Sequence, residues 1–368
     1  MNHPTAAPRK LATHMSVKLP TSMGLDMSDR TSCFHVLRGD GRTLSEGKVE
    51  MKAGPLGALF KRFEGCRLVI EAGTHSPWVS RLGVECGMEV FVVNPRRLAE
   101  ISKNERKTDR GDARILAEVG RTNVGRAKPI THRSKQAQSD LSLQRARLQM
   151  VVARTGFINH VRGVLKSHGH RAPGCSSKCF PLRVNPLLPA ELRPSLEPIL
   201  QQLLQLNESI KEYERQLAAN PRTQAIAPRL QKIGGVGQLG ATTFVLTIDD
   251  PKRFKKSRQI GAYLGAVPRK KESGDYSPQL QITKSGDPEM RRLLVLSSHY
   301  ILGSFGPDCD LRRFGMRIAG DGNNKAAKKR AVVAVARKLA VLMHHLWVTG
   351  KDYDPFYLAK KRGEAVPA

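Results

Sequence analysis

The chain has 368 residues, with 62 Lys and Arg against 32 Asp and Glu, so its formal net charge is +30 and its sequence pI is near 10.4. Hydrophobic residues make up 40% of the chain, which excludes a disordered basic tail and predicts a folded protein of two or three domains. A positive field of this size concentrates nucleic acid by releasing condensed counterions, so we expect a nucleic-acid partner.

The start of the chain predicts short strands after a disordered basic leader over residues 1–20. The Asp-Gly pair in the turn Gly39-Asp40-Gly41 predicts a hairpin between two alternating runs. Three antiparallel strands followed by alternating helices and parallel strands is the order of a ribonuclease H-like domain, in which the first and fourth strands are neighbours. In chain order the predicted elements are strands at GLDMS, TSCFHVL and RTLSEGKVEM, a helix over 55–63, the strand RLVIE, a helix over 77–86, the strand over 88–93, and helices from Pro95 and Asp109.

Two long charged stretches follow, over 136–167 and 194–217, with a link rich in Pro, Gly and Cys between them. They predict an antiparallel coiled-coil arm, and a plain helical spacer is equally compatible with the pattern. Further on, Gly234, Gly235 and Gly237 lie between helical segments. This pattern resembles a helix-hairpin-helix, in which a glycine turn lets backbone N–H groups approach a DNA phosphate.

The cysteines and the longest apolar stretch indicate where the chain works. Six cysteines are scattered without a disulfide-like framework and no signal peptide precedes them, so we expect a reduced, cytoplasmic setting. The stretch over 331–348 is broken by Arg337 and Lys338. We expect it to be a core helix that is too polar to span a membrane.

Four acidic residues stand where a metal-dependent nuclease needs them. Asp26 and Glu71 end strand-like runs, and Asp109 and Asp112 lie three residues apart on one face at the start of a helix. Four carboxylates can hold one or two Mg²⁺ ions, with Mn²⁺ as a substitute. The alternative is that Asp109 caps the helix, Asp112 is a favourable first-turn charge, and the other two are surface residues.

Basic residues lie near the second pair of acidic residues and near the candidate serines. Beside the second acidic pair they are Lys103, Arg106, Lys107, Arg110 and Arg114. Near three candidate serines, Ser273, Ser277 and Ser285, they are Arg269, Lys270, Lys271, Lys284, Arg291 and Arg292. We expect these cations to contact the nucleic-acid backbone. A serine hydroxyl needs an activating base, metal or positive field, although Ser-Gly-Asp is also a common turn.

Taken in order, these motifs resemble the DEDD, RuvC-like insertion-sequence transposases of the IS110 family, over roughly residues 22–355. The motifs that carry the resemblance are GLDMS, VIEAGTHSPWV, NPRR with KTDRGDA, IGGVG, SRQIGAYLGAVPRKKESG, ITKSGDPEMRRLL and the closing AAKKRAVVAVARKLAVLMHHLWVTGKDYDPF. The resemblance implies an α/β plus α fold. Its expected parts are a RuvC/ribonuclease H-like catalytic domain over 21–125, a coiled-coil arm over 126–222, a mainly helical serine-bearing domain over 223–350, and a tail over 351–368.

The resemblance also implies the activity. Members excise and insert their own element by site-specific recombination, and a structured noncoding RNA encoded by the element guides them to their sites. Dimers pair into tetramers, and the carboxylates of one subunit meet the serine of another. Ser273 follows Val267-Pro268 and a basic pair as the family's nucleophile follows its Gly-x-x-Pro segment, so the resemblance makes it the nucleophile.

Two other activities fit the same residues. A RuvC-like junction nuclease would use metal-activated water, and a non-catalytic architectural protein would only bind DNA. A zinc site from His168, His170, Cys175 and Cys179 is disfavoured, because their spacing is not that of a zinc finger. His344 and His345 lie on an apolar helix and are expected to be packing or surface residues.

Overall fold

A computed structural model describes residues 19–95, 108–274, 276–278 and 280–365. The chain divides into two compact units, Met1–His132 and Arg133–Ala368. The finer division into five parts stays a prediction. Residues 1–18 of the predicted leader, and most of the helix predicted from Pro95, lie outside the described residues.

The first unit is built on a five-stranded mixed sheet with the strand order β3-β2-β1-β4-β5. Strands β1, β2 and β3 are antiparallel neighbours, while β1, β4 and β5 run parallel. This arrangement confirms the ribonuclease H-like order, with the first strand beside the fourth. The strands are β1 Ser22–Asp26, β2 Thr31–Leu37, β3 Thr43–Glu50, β4 Arg67–Glu71 and β5 Glu89–Val93.

Helices cover both faces of this sheet. The first two, α1 Ala53–Arg62 and α2 Ser76–Glu85, pack on one face, where the buried core contains Met23, Leu25, Leu68 and Ile70. The third, α3 Asp109–Thr122, lies on the other face, where Leu116 and Val119 pack against Val69 and Val93. The strand residues alternate between the two faces, as a sheet buried on both sides requires.

Close backbone packing fixes the direction of α3. A Cβ placed on Gly24 would lie 2.0 Å from the carbonyl oxygen of Ala113, so the helix rests directly on β1. About one turn further along α3, the carbonyl of Ala117 accepts a hydrogen bond from Ser22 Oγ at 2.6 Å. Gly120, later on the same helix, packs over Ser22 and Val69. The helix therefore runs antiparallel to β1, and its first turn lies towards the strand end that carries Asp26.

The second unit begins with two long helices, α4 Lys135–Ser167 and α6 Arg193–Ala218, close to the predicted bounds. They pack antiparallel, with Arg147 bonded to Glu214 and Arg154 to Asn207. Along α6 the buried and half-buried positions 196, 200, 203, 207, 210, 214 and 217 alternate in steps of four and three, as in a heptad repeat. A short helix, α5 Phe180–Val184, lies in the link, and the coiled-coil character of the arm stays a prediction.

A helical body completes the second unit. Its core gathers residues such as Phe244, Leu294, Val335, Leu339 and Met343. Its helices are α7 Pro221–Gln224, α8 Ala227–Gln231, α9 Gln238–Ile248, α10 Gln259–Tyr263, α11 Pro288–Leu302, α12 Asp310–Ala319, α13 Lys325–Thr349 and α14 Tyr357–Lys361. Short 3₁₀ turns occur at Val124–Ala127 in the first unit and at Asn185–Leu187, Ala190–Leu192 and Pro251–Arg253 in the second.

The long apolar helix α13 corrects one sequence argument and confirms another. By length and composition it is apolar enough to cross a membrane, so the expectation that it is too polar was wrong. Half of its most apolar window is buried inside the protein, however, and Leu339 and Met343 lie in the core, which confirms a core helix. The charges of Arg337 and Lys338 do not interrupt it, because both project from its exposed side.

His344 on α13 is a packing residue, as expected. It is 1% exposed; its Nδ1 lies 3.0 Å from Ser257 Oγ and its Nε2 lies 3.0 Å from the carbonyl oxygen of Pro251, which can only accept. Nε2 therefore carries a proton and donates it to the Pro251 carbonyl, and in the neutral ring Nδ1 accepts from the Ser257 hydroxyl. Burial lowers the pKa of His344, and the bond to Pro251 offsets part of that effect. His345 beside it is exposed.

Candidate active site

The first pair of carboxylates lies at the carboxyl ends of two neighbouring parallel strands. Leu25 is paired with Ile70 in the register of β1 and β4, and Asp26 and Glu71 are the next residue on each strand. Both are half-buried. The sequence prediction that the strand order brings Asp26 beside Glu71 therefore holds at the level of the backbone.

The second pair occupies the first turn of α3. Thr108 Oγ1 accepts a hydrogen bond from the N–H of Gly111 at 3.1 Å, so Thr108, and not Asp109, is the cap of this helix. Asp109 is exposed and Asp112 is half-buried. Because α3 runs antiparallel to β1, its first turn lies at the same end of the sheet as Asp26 and Glu71. We call these four carboxylates the acidic edge.

Cys33 lies beside Asp26 of the acidic edge, on the neighbouring strand. Its backbone pairs with that of Asp26 on the neighbouring strand, and its side chain is buried. Burial raises the pKa of the Cys33 thiol, and the negative charges of Asp109 and Asp26 raise it further, against the opposing effect of Lys48 and Arg110. The negative charges that raise the pKa of this thiol thus come from a carboxylate on β1 and from one on α3.

The donors at the acidic edge have the chemistry of a hard-cation site. Carboxylate oxygens are the ligands that Mg²⁺ and Mn²⁺ take, and the expected set contains no soft ligand. Among the residues that the structure describes, no three His, Cys, Asp or Glu side chains are close enough together to enclose an ion. The backbone thus places all four carboxylates at one end of the sheet, while their side chains are not gathered into a closed cage.

The cations near the acidic edge have different surroundings. Arg110 Nη2 donates to Glu46 Oε1 on β3 at 2.8 Å, and Glu46 also lies 3.1 Å from the buried ring of His35. Burial lowers the pKa of His35, against the effect of Glu46. Arg114 is exposed on α3. Lys103, Arg106 and Lys107, which the sequence also predicted to contact nucleic acid, lie outside the described residues.

Sequence reasoning missed a histidine that lies just beyond Glu71. Trp78 Nε1 donates to His75 Nδ1 at 3.2 Å, which leaves the ring's Nε2 to donate to Asp29 Oδ1 at 3.1 Å. Asp29 follows β1 and His75 follows β4, so the contact joins the two loops at the acidic edge. The spacing of His75 and Trp78 within THSPW, three residues apart, was the signal that could have suggested this contact.

The candidate nucleophile Ser273 lies in the second unit, at the tip of a two-stranded arm that is described over 267–274, 276–278 and 280–283. The arm is paired at its base through Pro268 and Ile282, and at its tip through Ser273 and Tyr276. At the tip each of the two residues donates its N–H to the carbonyl of the other, both at 3.1 Å. Ser273 and the three basic residues Arg269, Lys270 and Lys271 are exposed, and Lys270 lies 3.3 Å from Glu272.

The base of the arm is a backbone crossing that only glycine permits. A Cβ on Gly265 would lie 2.0 Å from the carbonyl oxygen of Ser285, and one on Gly286 would lie 2.1 Å from that of Tyr263; both glycines have positive φ. Arg291 Nη1 donates across the crossing to the carbonyls of Leu264 at 3.0 Å and Ser285 at 2.7 Å. Burial lowers the pKa of Arg291. We call this arrangement the glycine crossing.

The crossing separates the candidate serines. Ser285 lies within it and its hydroxyl is 3.0 Å from that of Thr283, whereas Ser273 and Ser277 lie at the far end of the arm. Besides Arg110 and Lys270, two more of the predicted nucleic-acid contacts are engaged by the protein itself. Arg291 holds the crossing, and Arg292 makes a two-bond pair with Glu289 at 2.6 and 2.7 Å. Lys284 is exposed, with a positive φ.

The glycine-rich turn between α8 and α9 forms an open groove of about 470 Å³ with α11. Gly235 has a positive φ, and a Cβ there would lie 2.9 Å from the ring of Tyr300 and 3.0 Å from the carbonyl oxygen of Ser297. The turn thus lies against α11 with no room for a side chain. A phosphate-binding role for this turn stays a prediction.

Comparison with known proteins agrees with these features. Residues 23–170, which contain the whole acidic edge, match the model of the DEDD transposases of IS110, and residues 227–309, which contain the serine arm, match the model described as transposase IS116/IS110/IS902 family. The chain belongs to the IS110 family of transposases. It is therefore an enzyme that acts on DNA.

Similar proteins occur in several bacteria. The transposase for insertion sequence element IS1111A of Coxiella burnetii is 27% identical over 78% of this chain and 79% of its own length. A probable family 20 transposase of Pseudomonas aeruginosa is 28% identical over 79% and 86%. A pilin gene-inverting protein of Moraxella bovis is 23% identical over 78% and 81%.

Among solved structures, Thermus thermophilus RuvC matches 30% of this chain and 99% of its own, at 16% identity and a TM-score of 0.23. A TM-score this low carries no structural detail. The RuvC-like assignment of the first unit therefore rests on its strand order and on the family match.

Proposed function

We propose that this IS110-family transposase excises and inserts its own element by attack of Ser273 Oγ on a DNA phosphodiester, together with a Mg²⁺-dependent acidic edge. The observation that carries the proposal is the convergence of the acidic edge, in which β1, β4 and the first turn of α3 direct four carboxylates to one end of a sheet. The serine arm supplies a second, exposed group with cations around it.

Asp26, Glu71, Asp109 and Asp112 are the residues that would hold the metal. When bound, Mg²⁺ or Mn²⁺ supplies positive charge that neutralises the phosphate and stabilises the leaving oxygen. Thr108 supplies the side-chain cap of α3, so the capping role does not fall to Asp109.

Ser273 forms the new bond. Its Oγ attacks phosphorus, one backbone P–O bond breaks, and the hydroxyl proton ends on the leaving oxygen. The phosphodiester is kept as a serine ester, so a second DNA strand can later displace the serine. Arg269, Lys270 and Lys271 hold the DNA backbone at the tip and supply the positive field that favours the serine alkoxide.

The two halves of the site lie in different units of the chain. We propose that they meet in a dimer or tetramer, with the acidic edge of one subunit acting on the strand that the arm of another attacks. A noncoding RNA from the same element selects the DNA sites, and the enzyme works in the bacterial cytoplasm.

The test is a covalent adduct between protein and DNA. The full chain is incubated with Mg²⁺, supercoiled DNA that carries the element's ends, and the transcript of the neighbouring noncoding segment, and is then denatured. We expect an adduct that Ser273→Ala and Asp112→Asn each reduce at least ~1,000-fold, as for loss of a nucleophile or a metal ligand. Ser277→Ala, four residues away and also exposed, is the matched control and keeps the adduct.

One rival follows from the acidic edge alone. A junction nuclease that uses water would cleave fully after Ser273→Ala and would never form an adduct. RNA guidance is tested in the same assay, because digesting the transcript before DNA is added abolishes site-specific cutting if the RNA selects the site.

A further inference from the structure

Tyr276 lies directly opposite Ser273 at the tip of the arm. The two residues exchange both backbone hydrogen bonds at 3.1 Å, which makes them a hydrogen-bonded antiparallel pair. Side chains opposite each other in such a pair project from the same face of the ribbon, with Cβ atoms about 5 Å apart. The Tyr276 ring and the Ser273 hydroxyl therefore share one face of the tip.

Among the described residues, no packing contact or hydrogen bond gives the ring of Tyr276 a role in stabilising the fold. It is 63% exposed in a chain of which only 5% is aromatic. Within the described part of the chain it stacks on no other ring, and its hydroxyl has no hydrogen-bond partner. Burial in the core cannot explain an aromatic residue in this place.

The neighbourhood of the ring has the composition of a platform for single-stranded nucleic acid. Such platforms combine exposed aromatic faces, on which bases stack, with cations that follow the backbone. Arg269 and Lys271 are exposed on the strand that leads to Ser273. Every base has a π face, so stacking of this kind tolerates any DNA sequence. This suits an enzyme whose DNA sites are selected by a guide RNA, as proposed above, and not by the arm.

We propose that Tyr276 is a stacking site for an unpaired DNA base next to the phosphate that Ser273 attacks. This inference rests on the proposed role of Ser273. A base stacked on the ring fixes the adjoining phosphate relative to the hydroxyl on the same face, and such positioning lowers the barrier to attack. Tyr276 is thus a binding and positioning residue, and its ring, not its hydroxyl, is the part that acts.

Two measurements on the full chain test the proposal. The first is the rate of adduct formation at saturating DNA and RNA. Tyr276→Ala lowers it about 5- to 150-fold, the range expected for losing one base–aromatic stack, while Tyr276→Phe keeps the wild-type rate. Tyr357→Ala removes a tyrosine of similar exposure, 56%, elsewhere in the second unit and has no effect.

The second measurement does not depend on chemistry. A single-stranded oligonucleotide with 2-aminopurine at every third position is titrated with protein, and stacking quenches its fluorescence. We expect quenching by the wild type, Ser273→Ala and Tyr276→Phe, and a clear loss of quenching in Tyr276→Ala. A purely structural role of the ring would leave this signal unchanged.

The outcomes separate the two proposals. An adduct that persists in Ser273→Ala overturns the proposed nucleophile, whatever Tyr276 does. An adduct lost in Tyr276→Phe makes the phenol hydroxyl the active group and overturns the stacking site. Wild-type rates and quenching in Tyr276→Ala overturn it as well, while leaving Ser273 in place.

Discussion

Asp26 and Glu71 stand at the ends of two hydrogen-bonded strands in the middle of a sheet, whereas Ser273 stands at the tip of a two-stranded arm with one pairing at its end. The acidic edge is held by a core on both faces of the sheet, whereas the arm is anchored at its base by the glycine crossing. A rigid sheet suits groups that must keep fixed spacings around an ion. An exposed arm suits a group that must reach its substrate.

The largest expected effect comes from Gly24→Ala, which breaks the acidic edge and leaves the arm untouched. A Cβ would lie 2.0 Å from Ala113 O, so α3 must move away from β1 and take Asp109 and Asp112 with it. We expect a loss of about 3 kcal/mol or more in unfolding free energy, measured in urea, and no adduct.

Gly54→Ala is the matched control, because a Cβ there meets nothing within 4 Å. It lies in α1 and should change stability by less than about 1 kcal/mol, with adduct formation intact. Equal effects of the two substitutions would mean that close packing of α3 on β1 does not fix the acidic edge.

The next largest effect is on the pH dependence of the unfolding free energy. It involves one buried histidine in each unit. Burial lowers the pKa of His344 in the second unit and of His35 in the first. Below about pH 6.5, the ordinary histidine value, the unfolded chain therefore binds protons that the folded chain does not, so stability falls as pH falls. Each histidine contributes a slope of at most about 1.4 kcal/mol per pH unit.

His344→Gln should remove the share of this slope that belongs to the second unit, measured by urea unfolding between pH 5 and 7. His345→Gln, at the exposed neighbour, should leave most of the slope, because burial is the largest cause that lowers the pKa of His344 and the charge of His345 is a smaller one. An unchanged slope in His344→Gln would show that the buried ring does not govern the acid sensitivity of the helical body.

The smallest expected effect is on the salt dependence of DNA binding. It distinguishes a cation at the tip of the arm from one at its base. Lys271 is exposed near Ser273, so Lys271→Gln should remove one phosphate contact and make the slope of log K against log salt shallower by about 0.9 for duplex DNA. Arg291 is engaged by two backbone carbonyls, so Arg291→Gln should lower the melting temperature and leave that slope unchanged. A salt slope reduced by Arg291→Gln would restore Arg291 as a DNA contact.

Much of the first unit was predictable because its signals are local. The Asp40-Gly41 turn and the alternation of strand and helix led to the strand order, and the strand order led to Asp26 beside Glu71. The close approach of α3 to Gly24 was not predictable, since it depends on residues about ninety positions apart. The cap at Thr108 shows a similar limit: Thr108 and Asp109 are both good caps, and only the backbone geometry decides between them.

The arm was harder to foresee than the sheet. Its first half, over 268–273, consists of Pro, basic residues, Glu and Ser and has no apolar alternation. The alternating run QLQIT over 279–283 therefore has no recognisable partner strand in the sequence. The long helix α13 was misjudged for a different reason. Two charges on one face count against a membrane segment in a sequence, yet in the fold that face is exposed and the rest is core.

The glycine crossing also determines where this enzyme can change during evolution. A residue that is inserted or exchanged between Pro268 and Ile282 alters the reach and chemistry of the tip, because the chain is already fixed where it enters and leaves the arm. A side chain at Gly265 or Gly286 would instead collide with backbone that cannot move aside. We expect mobile elements of this family to diversify at the tip around the serine while both glycines stay the same.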